Sequence, residues 1–94
     1  SKKLSPYFNL PEINFVVEDK KKILEEVGRE FSDGKCDYLD GVTVEYEDWW
    51  FNLRPSQTEP LLRLTMEAEK EGLLESKKER LVSFVESLGG RVKN

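Results

Sequence analysis

The chain has no histidine, and Cys36 is its one cysteine in 94 residues. Without histidine it lacks the commonest general base near neutral pH and the commonest metal ligand. A lone cysteine excludes an internal disulfide, so a reducing, cytoplasmic compartment is the simplest expectation. No apolar run reaches the length of about 18 residues that a membrane helix needs, and no signal-peptide pattern opens the chain. No membrane partner is expected. Positive charge is also short: 15 Lys and Arg stand against 19 Asp and Glu, giving a net charge of −4 and a pI near 4.9. A general nucleic-acid binder needs a basic face to displace counterions, so nucleic acid is not expected as a partner. Internal repeats and low-complexity tracts are absent.

What is present is the composition of one small globular domain, 37% hydrophobic and 36% charged. Such a length supports a single, thin core. Aromatic and branched residues recur along the whole chain, which argues against disorder.

Residues 1–11 carry Pro6 and Pro11 around Tyr7 and Phe8 and hold no periodicity. They are expected to be an interdomain linker. The domain proper is expected over 12–90, with 91–94 as a tail. Residues 12–17 read as a strand with Ile13, Phe15 and Val17 on one face. Asp19 then caps a helix over about 20–31, with Ile23, Leu24, Val27 and Phe31 as its apolar stripe. Residues 35–39 suggest a short strand before the turn at Asp40-Gly41. Residues 42–47 alternate cleanly, and so do 50–54. With little more than Asp48-Trp49 between them, these two runs form an antiparallel hairpin. Residues 61–67 form another strand, with Leu62, Leu64 and Met66 facing one way.

A last helix ends near Leu88. Ser76 and Glu79 have capping-box spacing, so it starts at Ser76, or else near Glu71 with Ser76 inside. Gly89-Gly90 stops it. The economical packing is α+β: an antiparallel sheet of four strands, or slightly more, with both helices on one side. The opposite face then carries Asn14, Thr43, Glu45, Asn52, Arg54, Arg63 and Thr65.

One polar segment stands out, Arg54-Pro55-Ser56-Gln57-Thr58-Glu59-Pro60. It joins two strands and is braced by a proline at each side. Arg54 ends a strand, so the sheet aims its guanidinium, whose planar donors match two oxygens of a phosphate or carboxylate. Ser56, Gln57 and Thr58 add side-chain donors, and a tight turn adds backbone N–H groups. Glu59 either pairs with Arg54 or Arg63 or contacts sugar hydroxyls. Arg63 either assists with the anion or pairs with Glu45 or Glu59. A proline-braced hairpin loop with solvated polar residues would have the same composition, so spacing alone leaves both readings open. Of Trp49 and Trp50, one is expected in the core and the other partly covered on the surface. Asp33, Asp37 and Asp40 lack the rest of a calcium-loop pattern, so no metal site is expected.

The wording of this segment is specific. Asp40-Gly41-Val42 opening a strand, followed by Trp49-Trp50-Phe51-Asn52-Leu53-Arg54-Pro55-Ser56-Gln57-Thr58-Glu59-Pro60-Leu61-Leu62-Arg63-Leu64, resembles the C-terminal domain of the α-D-phosphohexomutases, phosphomannomutase/phosphoglucomutase branch. Glu12-Ile13-Asn14-Phe15 is similar to that domain's first strand. The likeness runs from about residue 7 to residue 88.

It implies a fold like that of the TATA-binding protein. It also implies an isomerase of four domains that moves a phosphoryl group between the 1- and 6-positions of a hexose through a phosphoserine and a hexose 1,6-bisphosphate, with Mg²⁺ held in another domain. The C-terminal domain would bind the phosphate not being transferred. Carried onto this sequence, Arg54, Ser56, Gln57 and Thr58 would contact that phosphate, with Glu59 and Arg63 in support. Gln57 departs from the Asn or Gly usual there. Expected partners are a hexose phosphate and the other three domains, and the 94 residues alone would be inactive, with no cofactor of their own. The alternative from another class is a free-standing anion- or protein-binding α+β module without a catalytic role.

Overall fold

A computed structural model describes residues 7–94. The rest of the expected linker, residues 1–6, lies outside the described residues. Nine elements follow in order: β1 (Phe8–Asn9), β2 (Ile13–Val16), α1 (Lys20–Glu30), β3 (Lys35–Asp37), β4 (Val42–Glu45), β5 (Trp49–Pro55), β6 (Leu61–Ala68), α2 (Glu71–Ser87) and β7 (Arg91–Val92).

The strands form one antiparallel sheet in the order β3-β4-β5-β6-β2-β7, and β1 pairs with β6 beyond the end of β2. The sheet is therefore larger than four strands. The additions come from the segments expected to be a linker and a tail. Phe8 lies opposite Ala68, and Val92 opposite Phe15. Two-residue strands carry no readable alternation, so only the tertiary pairing reveals them.

Both helices cover one face of this sheet. α1 is capped as its sequence indicates, with Asp19 Oδ1 accepting from the Lys22 N–H at 3.1 Å. It docks through Ile23, Val27 and Phe31, all buried. Phe31 meets Phe51 edge-on at 5.1 Å, and Trp49 and Phe84 at 6.3 and 6.4 Å. Such T-shaped contacts suit the charge distribution of aromatic rings.

α2 takes the earlier of its two starts, at Glu71, and runs through Ser76. Leu74 is buried against the sheet with Leu81 and Val85, and burying it requires the helix to reach that far back. β5 likewise begins at Trp49 rather than Trp50. This puts Trp49 on the core side with Phe51 and Leu53, while Trp50 is half-buried on the other face and donates from Nε1 to Glu67 Oε1 at 3.2 Å.

The uncovered face is polar, as the alternation implied. Its cross-strand rows are Thr43-Asn52-Thr65 and Arg54-Arg63-Asn14. The hairpin of β5 and β6 carries the polar loop at its tip.

Candidate functional site

β5 and β6 pair from Trp49↔Ala68 to Pro55↔Leu62, and residues 56–60 connect them. This loop is braced from within. The Ser56 N–H donates to the Leu61 carbonyl at 2.9 Å, and the Leu61 N–H to the Glu59 carbonyl at 2.8 Å. Ser56 is buried to 7% exposure. Its Oγ accepts from the backbone N–H groups of Thr58 and Glu59 at 3.3 and 3.2 Å. A serine hydroxyl turned onto N–H groups two and three residues ahead is a local turn device. The hydroxyl proton of Ser56 can still be donated, while its oxygen is engaged by these two loop N–H groups. Gln57, Thr58, Glu59 and Pro60 are exposed around it.

Arg54 and Arg63 stand directly opposite each other on the polar face. Arg54 Nη2 donates to Glu12 Oε2 at 3.2 Å, and Arg63 Nη1 to Glu12 Oε1 at 3.3 Å. Arg63 Nη2 also lies 3.8 Å from Glu59 Oε1. Of the pairings open from the sequence, Arg63 thus takes Glu59 and not Glu45, and shares Glu12 as well. Arg54 Nη1 reaches Asn52 Oδ1 at 3.5 Å. The Asn52 amide donates to the Asp40 carbonyl at 2.9 Å and to Thr43 Oγ1 at 3.0 Å. Asn52 therefore ties the Asp40-Gly41 turn to the arginine.

That turn backs onto the site strand. Gly41 has φ +71, and a Cβ there would lie 2.2 Å from the Leu53 carbonyl oxygen and 2.7 Å from Arg54 Cα. Only glycine accepts both the conformation and the approach.

Two contributors escape a reading of the loop alone. Lys20, at the start of α1, donates from Nζ to the Ser56 carbonyl at 2.8 Å and brings a cation to the loop's underside. In the sequence it is simply the first of three consecutive lysines. Glu12 sits before β2, and the period of two puts it on the face of Asn14. That alternation is the signal that could have found it.

The three cations Lys20, Arg54 and Arg63 exceed the two carboxylates Glu12 and Glu59 by one charge. The domain's net charge is negative. Among the charged groups in direct contact with the loop and its arginines, positive charge thus outnumbers negative, an arrangement suited to an anion. Trp50 is four residues from Arg54 along β5, about 13 Å at strand rise, too far to stack on a group held by the loop.

Among the described residues no cluster of three or more His, Cys, Asp or Glu could hold a metal ion. Asp37 Oδ1 accepts from the Leu39 N–H, and Asp33 Oδ1 from the Tyr46 hydroxyl.

Fold and site together define an α+β domain whose β5–β6 hairpin carries a braced polar loop with two arginines paired beside it. The family model described as phosphoglucomutase/phosphomannomutase, C-terminal domain, matches residues 12–83, and the chain belongs to that family. It is 43% identical over 88 residues to a phosphomannomutase of Methanocaldococcus jannaschii, covering 94% of this chain and 20% of that protein. A Vibrio cholerae phosphomannomutase is 40% identical over 82% of this chain and 17% of its own length. A probable phosphoglucosamine mutase of Pyrococcus horikoshii is 39% identical over 71% of this chain and 15% of its own. The chain thus spans about a fifth of the curated relatives it matches. A crystal structure of a phosphoglucomutase/phosphomannomutase family protein from Burkholderia thailandensis superimposes with a TM-score of 0.73 at 23% identity, over 95% of this chain and 20% of that one. At that identity the likeness is one of fold.

Proposed function

We propose that this chain serves as the C-terminal domain of a hexose-phosphate mutase and grips the phosphate that is not being transferred while a phosphoryl group moves between the 1- and 6-positions. The observation that carries this reading is the paired guanidiniums of Arg54 and Arg63 beside the braced loop over residues 56–60. Arg54 offers planar donors to two phosphate oxygens. Thr58 and Gln57 are exposed at the tip and donate from the side chain. Ser56 holds the turn in shape and donates through its hydroxyl. Lys20 supplies positive potential from below. The reading draws further support from relatives that are named phosphomannomutase and phosphoglucosamine mutase.

The work asked of the domain is binding, not bond making. Holding the remote phosphate supplies energy that orients the reacting end of the sugar. Phosphoryl transfer, the phosphoserine and Mg²⁺ belong to other parts of such an enzyme, and these 94 residues alone are expected to show no turnover.

The test is a titration of this chain with inorganic phosphate and with a hexose phosphate, followed by amide shifts. Residues 56–58 are expected to shift first, with weak affinity, and Arg54→Ala is expected to abolish the response. Shifts spread evenly over the surface, or an unaltered response in Arg54→Ala, would refute the reading.

A further inference from the structure

Arg54 and Arg63 are direct cross-strand partners, an arrangement in which like charges repel. Their side chains are 37% and 32% exposed, so water screens them only in part. One carboxylate stands between them, giving one oxygen to each arginine at 3.2 and 3.3 Å. A group that spans two guanidiniums with two oxygens on one centre occupies the donors a phosphate would use.

The backbone around Glu12 is pinned from the far side. The Asn94 side-chain amide donates to the Glu12 carbonyl at 2.8 Å and accepts the Asn14 N–H at 2.8 Å, while the Lys93 N–H donates to the Asn14 carbonyl. The side chain itself remains 36% exposed. It can therefore swing into solvent by rotation about its own bonds, without moving β2. Glu59 cannot take its place, because it reaches only Arg63, and at 3.8 Å.

We propose that Glu12 is the resident counter-anion of the Arg54–Arg63 pair: it holds the two guanidiniums side by side when no ligand is bound and gives up their donors to an incoming phosphate. The inference rests on the phosphate-grip reading of the loop. Binding is then an exchange of anions. The grip is weaker than two unopposed arginines would provide, and the arginines stay aligned between ligands. A purely structural ion pair would support the sheet without affecting affinity. A direct ligand or a fixed positioning group would be needed in the bound state. Exchange alone has Glu12 stabilise the free domain and oppose the bound one.

Glu12→Gln keeps the shape and removes the charge. Titrated with inorganic phosphate, the variant is expected to bind about three- to tenfold more tightly than the parent chain. Its Tm without phosphate is expected to fall by a few degrees, and saturating phosphate to restore it. Unchanged affinity would make Glu12 structural only, and weaker affinity would make it part of the bound site. Either outcome overturns the inference. A second measurement needs no variant: the side-chain carboxyl ¹³C signal of Glu12 in the parent chain should move to the position of a solvent-exposed glutamate as phosphate saturates. A signal that stays in place overturns the exchange. If phosphate leaves residues 56–58 of the parent chain unshifted, the grip reading fails and this inference with it. Shifts there without tightening in Glu12→Gln defeat the exchange alone.

Discussion

Arg54 is the residue on which the proposed activity turns. A charge-assisted bond of the kind proposed for it is worth about 1.5–3 kcal/mol, so in a complete mutase carrying this domain Arg54→Ala should raise KM about ten- to a hundredfold and lower kcat by less. Arg54→Lys should recover little, because an ammonium cannot present two parallel donors. Steady-state kinetics checks both, and unchanged KM in Arg54→Ala would contradict the assignment.

Ser56 acts differently. Its oxygen satisfies two backbone N–H groups in a buried position, so Ser56→Ala should cost about 1–3 kcal/mol. Faster hydrogen exchange at Thr58 and Glu59 should accompany the loss, and exchange as slow as in the parent would show that the brace is dispensable.

Away from the site, the Tyr46 hydroxyl donates to Asp33 Oδ1 at 2.6 Å. Burial first, and Asp33 second, hold it above its ordinary value of 10.0. In the unfolded chain it ionises near that value, whereas the folded chain keeps its proton. The unfolded state therefore binds fewer protons above pH 10, and stability that is complete below that pH declines as pH rises beyond it. Denaturation between pH 8 and 11 should show a shallower alkaline decline in Tyr46→Phe, and identical slopes would refute the linkage.

At the scale of elements, the hairpin of β5 and β6 is the mount and the Asp40-Gly41 turn is its backstop. Gly41→Ala places a methyl group 2.2 Å from the Leu53 carbonyl oxygen in a left-handed conformation. The φ requirement alone costs about 1–2 kcal/mol, and the contact forces the backbone carrying Arg54 to move. The expectation is a loss of more than about 2 kcal/mol in urea denaturation, together with weaker phosphate binding. Gly72→Ala is the contrast. A Cβ there meets nothing within 4 Å, and alanine in α2 should be neutral or stabilising by up to about 1 kcal/mol. Equal effects of the two substitutions would show that the turn does not support the site. The helices act from the other face. α1 does more than fill the core, because its first residue, Lys20, reaches around to the Ser56 carbonyl and links helix docking to loop geometry.

For the molecule as a whole, a phosphate bound only by the folded state must stabilise it. At roughly ten times Kd the gain is about 1.4 kcal/mol, or several degrees in Tm for a chain of this size. Arg54→Ala should show no more than the generic salt effect. Equal phosphate-dependent Tm shifts in parent and variant would place the anion elsewhere. The remaining four-fifths of the relatives' length is where the reading assigns the chemistry, and a domain that only grips needs neither histidine nor a metal.

The sequence by itself determined the α+β class, the one-sided burial and the location of the loop. Those follow from local rules: a period of two places Phe51 and Leu53 opposite Asn52 and Arg54, and a period near 3.6 gathers Ile23, Val27 and Phe31. Tertiary structure alone decided the rest. It extended the sheet with β1 and β7, whose two residues each are too few to alternate. It chose the earlier start of α2, because Leu74 gains burial that an isolated capping box cannot offset. It brought Glu12, some forty and fifty residues away in the chain, between Arg54 and Arg63. Which carboxylate neutralises which arginine depends on strand order and register. No local periodicity encodes these, because they are set where separate segments bury their apolar faces together.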